Sequence, residues 1–246
     1  MLRPWRAPLA FGVLFVLYQS AEGVGARWLR DVVVQDGLMI ASVLAAWPLS
    51  RWLGWKGYGA YALRWAPVRV WFWLAGGLGL AVAGKALAVA VGLRLGVYAS
   101  DSGGLVWNGF SAGALAMLLV GTFVPSLAED ILTRGFWYRA AGVHWRRGLV
   151  FVAFSSLMYV LNHIYRLERG PLEWAMLFCF GLAYATALWR SGTLWAAVGL
   201  HWGWNLANGL LAVDTLDPRR GAALSAIAHL GILLVVLVLP VRRLDV

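Results

Sequence analysis

The chain has 246 residues, of which 61% are hydrophobic and only 13% charged, against about 25% charged in soluble globular domains. With a mean hydropathy of +0.72 and 16 tryptophans, a residue that gathers at membrane–water interfaces, this composition excludes an ordinary soluble domain. It points to a membrane protein of several spans. The net charge of +10 would suit nucleic acid in a soluble protein. Here the arginines fall between apolar runs and read as topology signals and lipid-headgroup contacts, so the bilayer is the expected partner and nucleic acid is not.

A span needs about 20 largely apolar residues, and eight stretches qualify: Pro8–Ala26, Val32–Ser50, Trp71–Leu93, Ala112–Tyr138, Leu149–Tyr165, Pro171–Trp189, Thr193–Val213 and Ala222–Val241. The first shows no small-residue cleavage site and reads as a retained span rather than a signal peptide. The runs are too long and continuous for barrel strands. The expected fold is therefore an all-α, polytopic membrane helix bundle of about eight transmembrane helices. It forms a single transmembrane domain over 1–246, with no internal repeat or linker.

Alternate loops differ in charge. Arg3 and Arg6, then Arg51, Lys56, Arg64 and Arg69, then Arg139, Arg146 and Arg147, then Arg190, then Arg242 and Arg243 all fall on one side of an eight-span chain. The other side mixes signs, as in Glu22, Arg27, Arg30 and Asp31, or Asp214, Asp217, Arg219 and Arg220. The positive-inside rule then places both termini in the cytoplasm. Arginine outnumbers lysine, the usage of a GC-rich bacterial genome, which suggests a bacterial inner membrane.

Ionisable residues inside spans are functional hypotheses by default, and three groups stand out. In the fourth span, "EDILTR" (129–134) brings Glu129, Asp130 and Arg134 together just after Pro125, a residue able to kink or restart a helix. In the fifth, "YVLNH" (159–163) sets Tyr159 and His163 four apart on one face. In the seventh, "HWGWN" (201–205) does the same with His201 and Asn205. Each has a plain structural reading: an internal ion pair, a packing histidine, an interhelical hydrogen-bond clamp. The rise per residue puts Glu129 and His201 about 15 Å from the basic edge, and His163 about 24 Å from it. The fifth span must therefore tilt or start late for the three to meet.

Together, the groups suggest hydrolysis. A buried glutamate can take a proton from water. One imidazole can share that water, while the other and an amide donate to the oxyanion of a scissile carbonyl. The same atoms, two histidines and a glutamate, also allow a zinc triad, although the H-E-x-x-H signature is absent. The single Cys179 rules out an internal disulfide or a Cys-based zinc framework.

The three motifs, in this order and membrane context, resemble the CPBP family of intramembrane endopeptidases, also known as ABI or type II CAAX proteases. The family pattern is two adjacent glutamates with an arginine after three residues, then Phe-x-x-x-His, then His-x-x-x-Asn or Asp. The chain departs from it at Asp130, where a second glutamate is usual, and at Tyr159, where phenylalanine is. The resemblance covers about Pro125 to Gly209 and implies a catalytic core near 112–213. It further implies that Glu129 and His163 activate water, that His201 and Asn205 stabilise the oxyanion, and that Arg134 holds the carboxylates, with Asp130 and Tyr159 in support. It favours a glutamate mechanism with no metal and no cofactor, zinc being the alternative. The substrate is a peptide or protein at the membrane: prenylated CAAX proteins for eukaryotic members, and peptide processing or bacteriocin self-immunity for bacterial ones. The rivals are a non-catalytic membrane immunity or scaffold protein, and a small-solute transporter, whose sites also lie at the midplane.

Four features fall outside the motifs. "GFSAG" (109–113) has the G-x-S-x-G form, but a nucleophile elbow needs a strand before its helix; small residues for close packing are the expected role. "AGGLGLAVAG" (75–84) likewise reads as a packing face. Lys85 lies mid-span and needs a partner, for which Asp36 is a candidate. His144 is read as a solvated loop residue and His229 as a packing residue.

Overall fold

The computed structural model describes residues 5–64, 67–100, 111–142, 145, 147–211 and 213–239. His144, Gly109, Phe110, and the arginines at 3, 146, 242 and 243 lie outside them.

Among the described residues, eight α-helices form the bundle: α1 (Arg6–Ser20), α2 (Val32–Trp52), α3 (Pro67–Arg94), α4 (Ala112–Asp130), α5 (Gly148–Asn162), α6 (Pro171–Ser191), α7 (Leu194–Leu210) and α8 (Pro218–Val238). Two of them run on into wider π-type turns, α1 through Ala21–Leu29 and α4 through Ile131–Ala140. Two short antiparallel strands, β1 (Tyr98–Ala99) and β2 (Asp214–Thr215), pair Tyr98 with Thr215 and tie the end of α3 to the segment before α8. The all-α polytopic bundle is thus as read from the sequence.

The helix starts are written locally. Asp31 caps α2 by accepting from the Val33 and Val34 amides at 2.8 and 3.2 Å. Ser111 caps α4 through the Ala114 amide, and Asp217 caps α8 through Arg220. Each satisfies amides that a first turn leaves without carbonyl partners. The Ser111 hydroxyl of the GFSAG stretch is thereby engaged as a cap. Gly192, at φ 73°, ends α6 in the left-handed region that glycine enters without strain.

Among the described residues, six of these helical segments are by length and composition able to cross a membrane. The exceptions are the fifth and seventh. The apolar run of the fifth continues to Tyr165, but the helix stops at Asn162 and a 3₁₀ turn follows over Ile164–Arg169. The run of the seventh continues to Val213, but the helix stops at Leu210. Leu211 and Val213 pack instead on a small satellite core of Val89, Val97 and Tyr98. Hydropathy alone does not separate a helix from the apolar loop that closes over a core. The bundle's exterior is apolar at helical spacing, as in Leu9, Val13 and Val16 of α1 or Ile227, Leu230 and Leu234 of α8. A surface of this kind belongs in lipid, and the chain is an integral membrane protein.

The seventh helix is the central one. It lies against α3 with almost no side-chain volume between the backbones. A Cβ on Gly77 would meet the Leu200 amide nitrogen at 2.9 Å, and one on Gly203 would meet Leu78 Cα at 2.8 Å. Small residues that let helix backbones approach are the usual means of association in lipid, and this is the packing role expected for the 75–84 stretch. Close seating of α7 fixes the position of His201 relative to α4.

Candidate active site

Site residues come from α4, its π-type continuation, the end of α5, and α7. Pro125 sits within α4 without restarting it. The irregularity comes later, in the wide turns that begin at Ile131. Wide turns change the angular spacing of side chains and recur at functional sites. Here the change begins directly after the paired carboxylates of Glu129 and Asp130. Helix α5 begins at Gly148, near its expected start, and its last turn delivers His163 as the residue that caps it, with φ −84° and ψ 50°.

The two carboxylates have separate partners. Glu129, 5% exposed, turns one oxygen to each imidazole: Oε1 lies 3.4 Å from His163 Nδ1, and Oε2 lies 3.6 Å from His201 Nε2. The three groups set on different helices by the sequence therefore meet at one carboxylate. Asp130 is fully buried. Its Oδ1 accepts from the Arg134 guanidinium and from His201 Nδ1, the latter at 3.1 Å. Arg134 is also fully buried and donates to Thr133 Oγ1 at 3.1 Å. Its guanidinium lies 4.5 Å from the ring of Tyr159 and 5.0 Å from that of Tyr184. Among the described residues its ion pair is with Asp130. One oxygen cannot serve the histidine and the guanidinium unless the carboxylate is close to both, and Asp130 is the residue four before Arg134 on the same helix face.

Hydrogen bonds assign the proton positions. The Tyr159 carbonyl can only accept, so His163 Nδ1–H donates to it at 2.8 Å and leaves Nε2 open. His201 Nδ1–H donates to Asp130, which leaves its Nε2 toward Glu129. Asn205 gives one amide N–H to Ser126 Oγ at 3.1 Å, and Ser126 in turn donates to the Thr122 carbonyl. Tyr159 packs its ring edge-on to His163 at 4.7 Å and to His201 at 5.9 Å. It supports both imidazoles by packing and Arg134 by its π face.

Several residues in the cluster were not read from the sequence. Asn162, beside His163, donates from Nδ2 to Glu129 Oε1 at 3.3 Å. Gln19, on α1, donates from Nε2 to the Asn162 carbonyl and to its Oδ1 at 2.8 and 2.9 Å. Tyr184 stacks on His201, with centroids 5.1 Å apart, and its hydroxyl lies 2.9 Å from His229 Nε2. His229 is thus a buried support behind the site as well as a packing residue. Asn162 lay inside a quoted motif. Gln19 had one signal, an uncharged polar residue late in an apolar run.

Glu129, Tyr159, His163, His201 and Asn205 line a cavity of about 300 Å³ together with Lys85, Arg166, Trp204 and Asn208. Among the described residues, no group of three or more His, Cys, Asp or Glu is arranged to hold a metal ion. His163 Nδ1 gives its hydrogen to a carbonyl and His201 Nδ1 to Asp130, which leaves each ring its Nε2 for other partners. What the arrangement offers is a carboxylate between two imidazoles, with an amide beside them, at the wall of a space large enough for a stretch of peptide.

No curated protein matches the chain. Residues 111–207, which hold all three motifs and every residue singled out in them, match the family described as Rce1-like type II CAAX prenyl endopeptidase, so that over this segment the chain is similar to the CPBP/CAAX proteases.

Proposed function

We propose that the protein is an intramembrane endopeptidase that hydrolyses a peptide bond of a membrane-associated protein or peptide by water activated on Glu129. The observation that carries this reading is the Glu129 carboxylate placed between His163 and His201 on the wall of the buried cavity. Water held between Glu129 and the open Nε2 of His163 gives a proton to Glu129 and attacks the scissile carbonyl carbon. A new C–O bond forms and the carbonyl oxygen takes the negative charge. His201, tied to Asp130 through Nδ1–H, turns Nε2 toward that oxygen and donates to it when the ring carries its second proton. Asn205 offers its second amide hydrogen. Glu129 then passes its proton to the departing nitrogen as the C–N bond breaks. The products are a carboxylic acid and an amine, and no step needs a group beyond the chain's own side chains and water.

Asp130 has a defined place in this scheme. It keeps His201 in one tautomer and supplies the opposite charge that a protonated imidazole requires. Because its carboxyl also accepts from Arg134, its position is set from two sides.

The test is cleavage of a fluorescent peptide pool by the purified chain in lipid nanodiscs, beside Glu129→Gln, His163→Ala and His201→Ala. Loss of a general base lowers the rate by about 10²–10⁴-fold, and loss of an oxyanion donor by about 10²–10³-fold. A Glu129→Gln protein that cleaves at the wild-type rate refutes the mechanism. A wild-type rate that collapses on chelation and returns with zinc would replace it with metal chemistry.

A further inference from the structure

Lys85 is a lysine in the middle of α3, 8% exposed, with no carboxylate partner among the described residues. Asp36, the partner considered from sequence, does not pair with it. Its ammonium lies 4.9 Å from the Trp204 ring and 5.8 Å from that of Tyr98. Aromatic faces attract a cation but leave its hydrogen bonds unmade. A buried ammonium in a membrane span is costly and marks a ligand path by default.

Its position gives that ligand a direction. Lys85 lines the cavity that holds Glu129, His163 and His201. It also lines a second cavity of about 360 Å³, bounded by Tyr98, Thr215, Pro218 and Gly221, which shares Lys85, Met176, Asn208 and Ser225 with the first. The two spaces meet at the ammonium. Two acid–base groups nearby are already committed. Glu173, at the outer cavity, pairs with Arg166 and, at 3.7 Å, with Arg169. Arg166, at the inner one, is held by Glu173.

We propose that Lys85 is a carboxylate-binding subsite at the far end of the substrate cavity, receiving a carboxylate carried by the peptide that Glu129 acts on; this rests on the hydrolase reading above. One free cation between two rings suits a singly charged carboxylate. A phosphate would call on several donors at once. The carboxylate has two possible sources in a peptide, the C-terminal α-carboxylate or an acidic side chain. Either would anchor the chain at Lys85 and extend it past Trp204 and Asn205 toward Glu129.

The experiment uses fluorescein-labelled apolar octapeptides in three forms: free C-terminus, C-terminal amide, and C-terminal amide with one internal glutamate. Affinity is measured by polarisation on Glu129→Gln protein in nanodiscs, so that the peptides stay intact. The free-carboxylate form binding at least about tenfold tighter than the amide, the gain expected of a charge-assisted hydrogen bond, identifies the C-terminus as the source. The same gain confined to the internal-glutamate form identifies the side chain. Adding Lys85→Met removes the gain in either case, and Lys85→Arg retains most of it. Equal binding of the three forms, binding of none, or a gain that survives Lys85→Met overturns the proposal. The comparison among peptides on the Lys85-containing protein needs no further variant, so it stands even if Lys85→Met does not fold. Cleavage of the same peptides by the wild-type chain is scored separately. A peptide that binds through Lys85 and is never cut defeats the hydrolase reading and leaves the subsite standing.

Discussion

Asp130→Asn is the most informative perturbation of the site, because one oxygen of Asp130 serves both Arg134 and His201. Asparagine keeps the size and one acceptor oxygen and removes the charge. Arg134 and Asp130 are both fully buried. Removing one partner of a buried ion pair costs about 3–5 kcal/mol, and the retained acceptor puts the expected loss at the lower end. The catalytic loss has a different origin. Without a carboxylate at Nδ1–H, a protonated His201 is no longer matched by an opposite charge, and its Nε2–H is no longer held toward the oxyanion. The expected fall in kcat is about 10²–10³-fold, that of one lost oxyanion donor. Stability is read by thermal unfolding in detergent and catalysis by peptide cleavage, on Asp130→Asn, His201→Ala and the double variant. If Asp130 acts through His201, the double variant is about as slow as His201→Ala alone, since residues in one network are not additive. Losses that multiply in the double variant refute this account of Asp130. So does an Asp130→Asn protein with unchanged kcat.

Other expectations follow from the same geometry. Asn162→Ala removes the amide donated to Glu129; kcat should fall by about tenfold or more, as for a hydrogen bond to a charged group, with KM little changed in steady-state cleavage. Gln19→Ala acts through Asn162, so its effect should be smaller and should vanish in the Asn162→Ala background. Arg134→Lys keeps the charge but loses the flat guanidinium packed on Tyr159 and Tyr184; a loss of about 2 kcal/mol in thermal unfolding is expected. Gly203→Ala forces a Cβ to within 2.8 Å of Leu78 Cα and should destabilise the α3–α7 contact by about 1–3 kcal/mol, with a parallel loss of activity because His201 rides on α7.

What could be read in the sequence, and what could not, divides along a physical line. Apolar runs announce themselves because lipid tolerates no unsatisfied backbone, so the helices were legible, and their ends failed where apolar residues run on into other structure, as Ile164 does into the 3₁₀ turn after α5 and Leu211 and Val213 do over a satellite core. The motif residues were legible as positions because charge in an apolar chain is costly. Their pairing was not. Spacing along an ideal helix leaves Arg134 free to serve either Glu129 or Asp130. The structure separates the two carboxylates at the point where α-turns give way to wide π-type turns, and no hydropathy pattern encodes that change of pitch. The depth estimate for His163 has a separate root: counting residues at 1.5 Å each takes its helix as normal to the membrane, and His163 meets Glu129 from the end of that 15-residue helix. Gln19 and Asn162 lie a further step from the sequence. Their value comes from a link across 143 positions that only tertiary structure creates. It follows that substituting glutamate at Asp130, in keeping with the usual family pattern, is no neutral restoration. An added methylene in a fully buried site must either displace Arg134 or push the carboxyl toward His201, and the separation of roles between the two acids depends on neither happening.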